Sequence, residues 1–133
     1  MSHAIQGLLV RAEGAEVLAR MWPEVKWIPL HQGILWLPLR PGPASEDVGF
    51  EFWSETLEGQ LIALSAQHTV AYFETEYFGG VGTQNATVFR AGLRVLVRGE
   101  VNEALHLLGV QRGAFRDAWD AVGLTKHRRM PGE

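Results

Sequence analysis

Glu74 and Glu76 stand two residues apart in VAYFETEYF (residues 70–78), just ahead of Gly79-Gly80-Val81-Gly82. In an extended chain that spacing puts both carboxylates on one face, about 6.6 Å apart along the strand. If Gly79–Gly82 forms a four-residue turn, Phe78 faces Thr83, Glu76 faces Asn85 and Glu74 faces Thr87. This gathers two carboxylates, an amide and a hydroxyl beside a glycine-rich edge, with His68 further along the same strand. Close carboxylates push each other's pKa values apart, which suits acid–base work or a divalent cation. The competing reading is a solvated sheet face whose carboxylates are bridged by Arg90, Arg94 or Arg98.

Gly79, Gly80 and Gly82 join Gln84 as candidate binding residues, because glycine permits positive φ and close backbone approach. Known phosphate loops lead from a strand into a helix N-terminus. Here the loop leads from strand to strand and no lysine follows, which favours a hairpin turn.

Other chemistry finds little support. The chain has no cysteine, so disulfides, thiol catalysis and thiolate metal sites are excluded. His3, His31, His68, His106 and His127 form no local ligand pair, so no metal is expected. Ser2, Ser45, Ser54 and Ser65 lack a nucleophile-elbow context, and no dinucleotide or P-loop fingerprint is present. No cofactor is expected, and the enzyme question leans to no.

Five tryptophans stand out, and Trp53 is the one with a possible outward role. It follows the aromatic Gly49-Phe50-Glu51-Phe52 and precedes a helix start. It reads either as packing at that start or as an exposed anchor for a partner.

The elements that must position these residues follow from periodicity. Ala4–Arg11 reads as a strand, Glu13–Trp22 as a helix stopped by Pro23, and Val25–Leu30 with Ile34–Leu39 as a hairpin around His31-Gln32-Gly33. Ile34–Leu39 is apolar on both parities, as in a strand buried on both faces, with Pro38 at its end. Ser54 caps a helix to about Ala66 with Leu57, Leu61 and Leu64 as its stripe, weakened by Gly59. Thr69–Phe78, Thr83–Arg90 and Leu93–Arg98 are strands, with Leu93, Val95 and Val97 as the buried face of the last. Glu100–Leu108 and Ala114–Val122 are helices, and the basic tail Lys126–Arg129 is frayed.

The order β-α-β-β-α-β, then a hairpin, then two helices, predicts a single α+β domain over residues 1–133. Its core would follow the ferredoxin-like plan, an antiparallel sheet of about six strands with helices mainly on one face. One short linker-like piece, residues 40–47, reads as a loop rather than a domain boundary.

Composition sets the outer bounds. Twelve Lys and Arg against fifteen Asp and Glu give a net charge of −3, which argues against a dedicated nucleic-acid or anionic-membrane binder. No signal-like N-terminus and no bilayer-length apolar run are present, so a cytoplasmic location is expected.

Three segments, EYFGGVGTQ (76–84), VNEALHLLGV (101–110) and FRDAWDAVGL (115–124), together resemble a group of small bacterial proteins with no established activity. The resemblance implies a bacterial cytosolic α+β protein and names no substrate. By analogy it points to an immunity-like or accessory factor that binds another protein. The expected function is therefore a non-catalytic protein-binding module, with self-association as a variant if one sheet face lacks helices. The alternative is a small-molecule site or enzyme built on Glu74, Glu76, Asn85 and Thr87.

Overall fold

The computed structural model describes residues 3–39, 53–78, 81–112, 117–127 and 129–131. The predicted loop at 40–47, the aromatic stretch 49–52, Gly79, Gly80 and the start of the helix predicted from Ala114 lie outside the described residues.

The strands are β1 (His3–Arg11), β2 (Ile28–Pro29), β3 (Ile34–Pro38), β4 (Val70–Phe78), β5 (Val81–Arg90) and β6 (Leu93–Gly99). The helices are α1 (Ala15–Met21), α2 (Glu55–Ser65), α3 (Val101–Leu107) and α4 (Ala118–Val122). Together they make an α+β fold around one six-stranded sheet, in the order β2-β3-β1-β4-β5-β6. Each neighbouring pair is antiparallel. This order differs from a bare four-stranded ferredoxin-like sheet, because β5 and β6 carry the sheet on past β4.

The expectation that helices pack mainly on one face is corrected. On one face Leu8, Val10, Leu35, Leu37, Val70, Tyr72 and Phe89 bury against Leu18 of α1 and Leu57, Leu61 and Leu64 of α2. On the other, Ile5, Leu9, Trp36, Phe73 and Val88 bury against Val101, Ala104 and Leu105 of α3 and Ala118 and Val122 of α4. The alternating residues of β1, β3 and β4 thus feed two cores, and both sheet faces carry helices. β3 shows why its sequence is apolar on both parities: Ile34 and Trp36 serve one core, Leu35 and Leu37 the other.

Local chemistry fixes the ends of these elements. The Ser54 hydroxyl accepts from the Leu57 N–H at 3.0 Å, so α2 begins where the sequence places its cap. Glu100 and Glu103 form a capping box at α3. Ala91 and Gly92, at φ 52° and 78°, make the tight turn from β5 to β6. Gly7 in β1 has φ 141°, and a Cβ there would lie 2.1 Å from the Leu37 carbonyl oxygen. Only glycine allows β1 and β3 to approach so closely at that point.

Two further expectations are corrected. The strand predicted at Val25–Leu30 contracts to Ile28–Pro29. The described residues of the C-terminal tail are not frayed: Leu124 and Met130 are buried, and Arg129 forms a parallel bridge to Ala4 beside the stretch of β1 that β3 leaves unpaired. Burial of Leu124 and Met130 anchors the described residues there.

Candidate functional site

The register of β4 and β5 decides which polar groups meet. Phe78 pairs with Val81, so two residues separate the strands rather than four. Glu76 therefore faces Thr83, Glu74 faces Asn85 and Tyr72 faces Thr87, a shift of two from the expected pairing. A shift of two keeps every side chain on its face. The polar patch survives with different partners.

Adding β1 extends the patch into rows. Gln6, Glu74 and Asn85 are direct cross-strand neighbours, as are Ala4, Glu76 and Thr83. All lie on the face that carries α1 and α2. Gln6 and Asn85 are buried, Glu74 is half-buried and Glu76 is exposed. The buried Tyr72 hydroxyl donates to Glu74 Oε2 at 2.5 Å. Such a short charge-assisted bond holds the carboxylate in place.

Several candidate residues serve the fold. Thr87 is fully buried; its hydroxyl donates to the Leu96 carbonyl and accepts from Arg94 Nε, both at 2.7 Å. Asn85 Oδ1 accepts from the Ala86 N–H. Gln84 lies on the opposite face, where its Oε1 accepts from the Val101 N–H at 2.9 Å and caps α3. Gly82 is exposed within β5. Gly79 and Gly80 lie outside the described residues. Trp53 is only 3% exposed, stacked on Phe89 and edge-on to Tyr72, so its ring builds the core beneath α2.

His68 is not brought to the carboxylates. It lines a separate open cleft of about 500 Å³ with Arg11, Glu13, Thr69 and the end of α3. There Arg11 donates to the Leu108 carbonyl and Arg90 to the Leu107 carbonyl, placing cations at the negative end of the helix. No cluster of three or more metal-ligating side chains occurs among the described residues.

The largest departure from expectation is at β6. Leu93, Val95 and Val97 were the expected buried face, yet they are 68%, 47% and 60% exposed. Arg94 takes the inward position instead. Its guanidinium lies 4.9 Å from the Trp53 ring centre and 5.7 Å from that of Phe89, with Glu58 at 3.7 Å. The β5–β6 register explains the exchange. Phe89 faces Arg94 and Val88 faces Leu96, so β6 advances two residues for one of β5. A second irregularity lies between Val88 and Ala86. Such bulges re-aim side chains, sending Arg94 to the α2 core and Leu96 to the α3 core. The bulges break the alternation of the sequence, and Leu93, Val95 and Val97 stay outside both cores.

β6 is also the terminal strand of the sheet. The opposite edge, β2, is two residues long and contains Pro29, both devices that discourage further pairing. β6 has seven residues and no proline. The protein thus has a two-residue edge with a proline and a seven-residue edge, bulged at two points, that carries three exposed apolar side chains. Comparison with protein-family models, curated proteins and solved structures returns no match to the chain.

Proposed function

We propose that the protein is a non-catalytic protein-binding module, of the immunity-like or accessory kind, and that β6 is its binding edge. The observation that carries this reading is that Leu93, Val95 and Val97 are exposed on a terminal strand, while apolar residues of β1, β3, β4 and β5 such as Leu9, Trp36, Phe73 and Val88 fill the cores. An edge strand offers unpaired backbone donors and acceptors, and a partner strand gains main-chain hydrogen bonds as well as apolar contact.

A photo-crosslinking amino acid at position 95, with the exposed position 63 of α2 as control, tests the reading in bacterial cells. A discrete protein adduct from position 95, absent from position 63, is expected. No adduct from positions 93, 95 or 97, or the same adducts from position 63, removes β6 as the binding edge.

A second reading rests on the cross-strand row Gln6–Glu74–Asn85, where an amide, a carboxylate and an amide align on three adjacent strands. Such a row supports hydrogen-bonded recognition of a small polar molecule, given walls around it. Ligand linkage then requires a rise in melting temperature with a metabolite pool or with magnesium, lost in Glu74→Gln. An unchanged melting temperature in every condition removes this reading.

A further inference from the structure

The charge of the edge restricts what can dock there. Residues 77–99 contain Arg90, Arg94 and Arg98 and no acidic residue, a local charge of +3. The rest of the chain holds nine Lys and Arg against fifteen Asp and Glu, a charge of −6. β5 and β6 are therefore a basic stretch of an acidic protein, as is the run Lys126–Arg129. Arg94 is committed to Glu58 and Trp53. Arg90 is held by the Thr69 hydroxyl and the Leu107 carbonyl, with no carboxylate at hand among the described residues. Arg98 is exposed and has no hydrogen bond or ion pair among the described residues.

We infer, resting on the reading of β6 as the binding edge, that its occupant is an acidic extended segment of another protein, added to the sheet as a seventh strand. Side chains of such a segment would set apolar groups beside Leu93, Val95 and Val97 and a carboxylate near Arg98. A second copy of this chain is the poorer occupant. It would bring the same exposed Arg98 to the same edge, and like charges across a strand pair are destabilising. The net charge of −3 on each copy adds to the repulsion.

Two labelled heptapeptides test the inference on the full chain: one alternating Glu and Val, the other alternating Lys and Val, both capped at their ends. Amide chemical shifts report where each binds, and sedimentation reports self-association. The Glu/Val peptide should bind at least tenfold more tightly than the Lys/Val peptide, with shifts concentrated in residues 93–99. Added salt should weaken it, and Arg98→Glu should cost at least fivefold in affinity. Equal binding of the two peptides, binding of neither, or shifts away from β6 overturns the acidic occupant. Concentration-dependent dimers abolished by the combined Leu93→Thr, Val95→Thr and Val97→Thr substitutions would also overturn it in favour of a second copy, while leaving β6 as the binding edge. The crosslink from position 95 decides that broader reading independently of either peptide.

Discussion

The Arg94 guanidinium lies over the Trp53 ring, 4.9 Å from its centre, and by occupying the inward position it leaves Leu93 and Val95 on the outside of β6. The cation gains the face of one aromatic ring and the proximity of Phe89, and its Nε–H donates to Thr87. Arg94→Ala should cost roughly 1–2 kcal/mol in urea denaturation, from the lost cation–π contact and hydrogen bond. Arg94→Lys should recover less than half of this, because an ammonium neither stacks flat nor reaches two acceptors at once. Full recovery by lysine would show that charge alone matters.

Gly7 and Gly59 should respond in opposite directions to alanine. Gly7→Ala drives a Cβ into the Leu37 carbonyl and requires a backbone shift, a loss of roughly 3 kcal/mol or more. Gly59 is exposed within α2, and a Cβ there meets nothing within 4 Å. Gly59→Ala should therefore raise stability by about 1 kcal/mol. Denaturation midpoints of the two variants check both signs.

Tyr72→Phe removes the donor to Glu74 and should cost about 1–2 kcal/mol, since the carboxylate loses a charge-assisted bond. Glu76→Gln, at an exposed position, should change stability by less than about 0.5 kcal/mol. A double-mutant cycle of Tyr72→Phe with Glu74→Gln measures the coupling, and a value near zero would show that the contact is inert.

Burial against Trp36 holds the His127 imidazole below its ordinary pKa of 6.5, with neighbouring Lys126 adding repulsion. A histidine whose folded pKa is depressed is bound to fewer protons when folded than when unfolded. Its contribution to stability is present above pH 6.5 and declines as pH falls through 6.5 toward the lower folded value. Urea midpoints between pH 7.5 and 5.5 should fall in the parent and fall less in His127→Gln. Equal slopes in the two proteins would exclude His127 as the source.

The sequence was legible wherever side-chain type and period agree with burial. Ser54 names the start of α2, the two-sided apolar run of Ile34–Leu37 names a doubly buried strand, and Ala91-Gly92 names a turn. The face shared by Glu74, Glu76 and Asn85 was legible too, because period two survives a register error of two. What failed was nonlocal. The choice of phase in β6 depends on bulges set by pairing with β5, and on an arginine whose stem and guanidinium cover aromatic rings. Gln84 as the cap of α3 depends on a helix seventeen residues away. Helices on both faces follow from where α3 and α4 return to the sheet, and local periodicity does not specify that return.

The exposed apolar side chains of β6 are tested most directly by the combined Leu93→Thr, Val95→Thr and Val97→Thr substitutions, which install a β-branched residue suited to a strand and remove apolar surface. Crosslinking from position 98 and the urea midpoint would be measured together, on this protein and on the parent. Because the three side chains are exposed, the midpoint should correspond to a change within about 1 kcal/mol, while the adduct should fall at least tenfold. An undiminished adduct, or a loss of several kcal/mol as for core residues, would contradict the assignment of β6 as the binding edge.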